Sequence, residues 1–128
     1  MPFVIKAALD AESGSKLLSF HEKTMYRGKD IRVHDEIFIF SSENQGGHGL
    51  CARGIVTSVD HGPGIRVSIG VKPVAKARRA LGRHELKPFR DLDDDQPQTE
   101  IARKLYRQPT NKIARISDDA AAFLGTCF

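Results

Sequence analysis

The sequence predicts an α+β domain in which a curled mixed sheet, or small pseudo-β-barrel, is flanked by short helices. Three observations carry that expectation. Two β-branched and aromatic runs, residues 36–40 and 50–59, flank a polar connection that contains Gly46-Gly47. A third, alternating run follows the turn His61-Gly62-Pro63-Gly64. The strongest helix signals fall in the last third of the chain, which excludes regular βαβ alternation. With 128 residues, 40% hydrophobic and 28% charged, the chain has the size of one domain and little room for a second with its own cleft.

The elements follow in order. Residues 3–8, with Phe3, Ile5 and Ala7 alternating against Val4, Lys6 and Ala8, read as an opening strand. After the Gly14-Ser15 turn material, Leu17, Leu18 and Phe20 make the apolar stripe of one short helix. Residues 36–40 are apolar on both strand faces and form the central, doubly covered strand. Residues 50–59 return beside it as a hairpin partner. Ile65, Val67, Ile69 and Val71, alternating with Arg66, Ser68, Gly70 and Lys72, give a half-exposed third strand. Asp93-Asp94-Asp95 before Pro97 marks a helix start, with carboxylates at the positive end of the macrodipole and Pro in the first turn. Ile101 and Leu105 share its buried face, it ends near Tyr106, and Pro109 breaks it. Residues 113–116 form a short return strand, and Ser117-Asp118-Asp119 caps a last helix through Leu124, closed by Gly125.

Charge points to a partner class. Twenty Lys and Arg against sixteen Asp and Glu give +4, and the excess is local: Lys76, Arg78, Arg79, Arg83, Lys87 and Arg90 face only Glu85 in residues 76–90. Such a window can meet phosphates, because each neutralised phosphate releases counterions, or can be an ordinary solvated face. No apolar stretch approaches the roughly 20 residues of a membrane span, and the opening residues lack the pattern of a secretory leader. A cytoplasmic, non-membrane protein is expected, with Cys51 and Cys127 reduced and used for packing.

Catalytic and cofactor motifs are weak. His48-Gly49-Leu50-Cys51 supplies two of the three or four ligands zinc requires, so no metal is expected. Ser13-Gly14-Ser15-Lys16 fits the Ser-x-x-Lys pattern but lacks its companion motifs and reads as a helix start. No Gly-rich nucleotide cradle follows a strand, so no cofactor is expected. His84-Glu85 reads as surface. More informative is Lys23-Thr24-Met25-Tyr26-Arg27-Gly28-Lys29, together with the abrupt end of the central strand in Phe40-Ser41-Ser42. Hydroxyls at the rim of an apolar interior can orient a flat ligand. Tyr26 or Phe40 can stack on a base, worth roughly 1–3 kcal/mol, while Arg27 and Lys29 reach phosphate. The competing reading is that Ser41 and Ser42 simply end a strand and that Met25 and Tyr26 fill the core.

At these residues the chain resembles the PUA-like superfamily, in its EVE and, as second choice, ASCH branches. The family's Gly-Asp-x-Val/Ile-x-x-Tyr/Phe-x-Ser strand is matched by residues 33–42, with His34 where Gly is usual. Its Gly-x-x-x-Val return is matched by residues 54–59, and its closing strand and helix by Arg115-Ile116-Ser117. Departures are the lack of Trp, Thr24-Met25-Tyr26-Arg27 in place of an Arg-Asn segment, and an ASCH pattern retained only at Lys23. The resemblance implies a pseudo-barrel whose cleft binds RNA or a modified nucleobase.

The combined expectation is a nucleic-acid-binding module. Lys23, Thr24, Met25, Tyr26 and Arg27 face Phe40, Ser41 and Ser42 across a base slot, while Lys76, Arg78, Arg79, Arg83 and Lys87 hold the backbone of RNA or DNA. Two alternatives stand beside it. One is an ASCH-like hydrolase or nuclease using Lys23 with Glu43 or Glu36. The other is a protein-interaction domain using an exposed sheet edge.

Overall fold

The computed structural model describes residues 1–8, 17–43, 48–108 and 110–128. The Gly14-Ser15 turn, the Ser13–Lys16 pattern, Gly46-Gly47 and Pro109 lie outside them.

Six strands close into a barrel. They are β1 (Pro2–Ala7), β2 (Leu18–Met25), β3 (Glu36–Ser41), β4 (Gly49–His61), β5 (Arg66–Lys76) and β6 (Lys112–Arg115), in the spatial order β1-β3-β4-β5-β2-β6. The sheet is mixed: β1 runs parallel to β3 and β2 parallel to β6, and the other pairs are antiparallel. Three helices, α1 (Arg83–Leu86), α2 (Pro97–Tyr106) and α3 (Asp118–Gly125), accompany it, with single 3-10 turns at Gly28–Asp30 and Lys87–Phe89. The α+β pseudo-barrel is therefore as expected.

Strand alternation builds two cores. Phe3, Ile5, Ile37, Ile39, Val56, Val67, Ile69, Val71 and Ile113 pack together inside the barrel. Their neighbours Val4, Phe38, Phe40 and Ala114 point outward and pack with Ile101, Leu105 and Leu124 of α2 and α3. The fully apolar run 36–40 follows from this arrangement, because both of its faces are covered. Close approach is needed at Gly54, where the β3–β4 and β4–β5 pairs meet: a Cβ there would lie 2.5 Å from Val71 Cγ1 and 2.7 Å from the Lys72 carbonyl oxygen. The register with β5 shifts at that point.

Two expectations need correction. The short helix around Leu17, Leu18 and Phe20 is strand β2: Leu18 and Phe20 are buried while Leu17, Ser19 and His21 are exposed, a period of two. A one-turn helix, α1, forms within the basic window, where no helix was expected. The barrel closes through short registers: among the described residues, Leu18–Lys23 of β2 and Ser58–His61 of β4 pair only with β5, so stretches of strand edge stay unpaired.

Two lysines occupy unusual places. Lys6 on β1 and Lys112 on β6 are register partners, 3% and 1% exposed, on the outer face under the end of α2. Lys112 Nζ donates to the carbonyls of Lys104, at 2.9 Å, and Gln108, at 3.4 Å, while Lys6 Nζ donates to that of Leu105 at 3.4 Å. These carbonyls belong to the last turn of α2 and the residues just beyond, where orphan acceptors and the negative end of the macrodipole favour cations. Burial, then the charges of Lys6 and Lys23, lower the pKa of Lys112 to about 8.

Candidate nucleic-acid interface

The turn after β2 presents the exposed Tyr26 ring at a cavity. Tyr26 and Arg27 both adopt left-handed backbone, φ 51° and 65°, a conformation that costs a non-glycine residue about 1–3 kcal/mol and concentrates at ligand sites. It is held from two sides. The Arg115 N–H donates to the Tyr26 carbonyl at 3.3 Å. Gly28 lies so close to β6 that a Cβ would stand 2.1 Å from the Ile113 carbonyl oxygen. Tyr26 is left 42% exposed, with Lys104 Nζ 5.9 Å from its ring centroid, within cation–π range.

The ring lies at the junction of two connected clefts. One, about 650 Å³, runs between Met1, Pro2, Arg27, Arg115 and the start of α3. The other, about 460 Å³, runs along α2 past Thr99, Arg103 and Arg107. Glu100, Lys104 and Ser117 line both. Burial pushes the Glu100 carboxyl up, but the hydroxyl and N–H of Ser117 and the Lys104 ammonium outweigh it and hold the carboxyl below its ordinary range. Ser117 N–H donates to Glu100 at 2.7 Å, and Lys104 bonds Glu100 at 3.0 Å and the Arg115 carbonyl at 2.8 Å. Ser117 Oγ accepts from the Ala120 N–H at 3.1 Å, capping α3 as the sequence indicates. The floor is thus locked and the lining mixed in charge: Arg27, Arg103, Arg107 and Arg115 stand among Asp94, Asp95, Asp118 and Asp119.

The expected slot between residues 23–27 and 40–42 does not form. In the barrel β2 and β3 are separated by β6 and β1. Phe40 is wholly buried, with its ring edge-on to Tyr106 at 6.4 Å, so it has no face to offer a base. Ser42 is buried and its N–H donates to the Ala7 carbonyl; Ser41 pairs with Gly49 at the strand end. Thr24 is committed through N–H and hydroxyl to the Ile65 carbonyl. Met25 is half-buried beside Ala114, and Lys23 pairs in register with Arg66. Of the eight residues, Tyr26 and Arg27 line the clefts. The opposite wall comes from Glu100 and Lys104, which sequence reasoning did not single out, and from Ser117, which it read as a helix cap.

The hydrolase alternative finds no assembled pair. Glu43 accepts from the Tyr106 hydroxyl at 2.7 Å and from the Arg83 N–H at 3.0 Å, and Glu36 faces Arg53 at 3.6 Å. Burial, then the Glu43 carboxylate, raises the Tyr106 phenol far above its ordinary value. Among the described residues no three His, Cys, Asp or Glu side chains converge on a metal position. Cys51 donates to the Ile39 carbonyl at 3.3 Å and Cys127 is buried; both are free.

The basic window does not extend the clefts. Lys76, Arg78 and Lys87 are exposed. Arg79 is paired with Glu85 and Arg90 with Asp91. Arg83 is exposed and lines a separate recess with Glu43, His48 and His84.

Comparison with solved structures places this geometry in a known fold. The chain superposes on the DUF55 domain of human thymocyte nuclear protein 1 with a TM-score of 0.67 at 9% identity, covering 98% of this chain and 97% of that one. The likeness is one of fold, a closed mixed barrel with short helices. A Rhodopseudomonas palustris protein solved by NMR matches with a TM-score of 0.63 at 12% identity, covering 98% and 92%. No protein-family model matches the sequence, and no curated protein matches it. At such identities the likeness concerns the barrel and its helices. No helix among the described residues is long and apolar enough to cross a membrane.

Proposed function

We propose that the protein is a small nucleic-acid-binding module of the EVE type that seats one base, of RNA or a modified nucleobase, against Tyr26. The observation that carries this reading is the exposed Tyr26 ring, held by a strained left-handed turn at the junction of two clefts in which Arg27, Arg103, Arg107 and Arg115 stand among Asp94, Asp95, Asp118 and Asp119. An aromatic face beside guanidinium groups suits a strand: the ring takes a base and the cations take its phosphates. Lys76, Arg78 and Lys87 supply a second, separate set of charges for the backbone.

Fluorescence titration of labelled single strands at two salt concentrations tests it. Binding should weaken as salt rises. Tyr26→Ala should weaken it by roughly 1–3 kcal/mol, about 5- to 150-fold, without altering the salt dependence. No binding at low salt, or affinity indifferent to salt, would remove the proposal. Mass spectrometry of nucleosides and RNA after incubation should return them unchanged, which separates a binder from the hydrolase alternative.

A further inference from the structure

The helices cover only part of the barrel. The core beneath them takes outward residues from β1, β3, β6 and the start of β4, and among the described residues none from β2 or β5. The outer face of β2, β5 and the far half of β4 is left bare, and register sorts its side chains into rungs across β5. Arg66 stands beside Lys23, Ser68 between His21 and Asp60, and Gly70 between Ser19 and Ser58. The alternate residues Val67, Ile69 and Val71 point into the barrel. His21 and Ser68 are hydrogen-bonded, with Nδ1 and Oγ 2.8 Å apart, and Lys72 continues the face, exposed.

The rung at Gly70 is built differently. Val56 pairs with Val71 and Ser58 with Gly70, so Thr57 is the extra residue of a β-bulge, a device that re-aims side chains. Both hydroxyls converge over the glycine: a Cβ on Gly70 would lie 2.6 Å from Ser58 Oγ and 2.9 Å from Thr57 Oγ1. The missing side chain is what admits them, and both residues are exposed. Two successive hydroxyls thus sit over bare backbone, with an imidazole–hydroxyl pair on one side and Lys72 on the other. Hydroxyls and cationic side chains are the groups that hold phosphate oxygens. Asp60 is the single carboxylate on the three rungs, since Glu22 pairs with Val67 and belongs to the opposite face.

We propose that this bare wall is a backbone track: a single strand whose base sits at Tyr26 runs its phosphates along the outer face of β5, with Arg66 and Lys72 as the charged contacts and the Thr57 and Ser58 hydroxyls donating between them. The proposal rests on the nucleic-acid reading for its ligand, and on the geometry of the face for its location. Alternate residues of a strand stand about 6.6 Å apart, which puts Arg66 and Lys72 roughly 20 Å apart with the Ser68 and Gly70 rungs dividing that span evenly. An extended nucleic-acid strand spaces its phosphates at a comparable step. Lys23, beside Arg66, is three residues before Tyr26, and β5 ends at Lys76, where the basic window begins. The track therefore joins the Tyr26 turn to charges that otherwise stand apart from it.

Two measurements test it. In NMR titrations of the labelled protein at constant pH, inorganic phosphate and an unlabelled single strand should each shift the Thr57, Ser58 and Gly70 amides saturably. In strand titrations, Arg66→Gln and Lys72→Gln should each lower the slope of log affinity against log salt by about 0.7, whereas Tyr26→Ala should leave the slope as it is. Thr57→Val, which keeps the shape and removes the hydroxyl, should weaken binding about 2- to 12-fold at an unchanged slope. A strand that depends on Tyr26 but neither moves these amides nor loses slope in Arg66→Gln and Lys72→Gln would sink the track and leave the nucleic-acid reading standing. Phosphate shifts at these amides with no strand binding at low salt would sink that reading and leave the face as a phosphate site. No shift from either probe in the wild-type protein overturns the face outright, and that result depends on no variant folding.

Discussion

Lys112→Met isolates the cost of an ammonium group buried under the end of α2. The side chain is 1% exposed, and its pKa falls from the ordinary 10.5 to about 8 because burial, then Lys6 and Lys23, disfavour the charged form. At neutral pH both folded and unfolded chains carry the proton, and the native state bears the full penalty. As pH rises through about 8 the native state releases its proton while the unfolded chain holds its own until about 10.5. Stability then climbs by about 1.4 kcal/mol per pH unit, about 3 kcal/mol in all. Two groups act in the opposite direction: burial raises both the Cys51 thiol and the Tyr106 phenol, so each contributes stability that is lost as pH rises past its unfolded value. Both remain in the Met variant and cancel in the difference. Urea unfolding of the two proteins from pH 6 to 9.5 should show wild type gaining about 2 kcal/mol on Lys112→Met above pH 8, with a flat difference below pH 7. A difference flat throughout, or falling with pH, would refute the reasoning.

Other substitutions separate core from site. Phe40→Ala should cost about 3–5 kcal/mol in unfolding while leaving strand affinity of the folded protein intact, because Phe40 packs on Tyr106. Gly28→Ala drives a Cβ onto the Ile113 carbonyl; thermal unfolding should register a loss of about 1–3 kcal/mol, and strand binding should weaken with displacement of the Tyr26 turn. Ser117→Ala removes the cap of α3, worth about 1 kcal/mol by denaturant titration. It also removes a donor to Glu100, whose lowered carboxyl contributes stability present above about pH 4.3 and lost as pH falls. The variant should therefore lose less stability than wild type on acidification from pH 6 to 3.

The barrel was legible where the chain states its own periodicity. Residues 36–40 are apolar at every position because β3 faces the interior on one side and the helices on the other, and Ser117 caps α3 as its sequence suggests. β2 was misread because Leu17-Leu18 hides the alternation: Leu17 is exposed, and only Leu18 and Phe20 belong to the interior. His34 stands where the resembled family has Gly, and its φ of 79° shows the left-handed backbone that position demands. Half of the candidate site was legible. Tyr26 and Arg27 advertise stacking and charge, but their partners Glu100, Lys104 and Ser117 arrive through barrel closure, and nothing in local spacing reports that β2 and β3 are held apart by β6 and β1. The outward direction of Phe40 was readable in principle, since Phe38 and Phe40 share a face opposite Ile37 and Ile39.

The chain contains no Trp and only two Tyr, Tyr26 and Tyr106, so a Tyr106→Phe protein carries Tyr26 as its sole emitting residue. Titrating that protein with an unlabelled single strand, with binding followed in parallel by sedimentation, reads the proposed contact itself. The account predicts saturable quenching of tyrosine emission along the same curve as binding, as a base comes to rest on the ring. A strand that binds while the emission stays unchanged would contradict it.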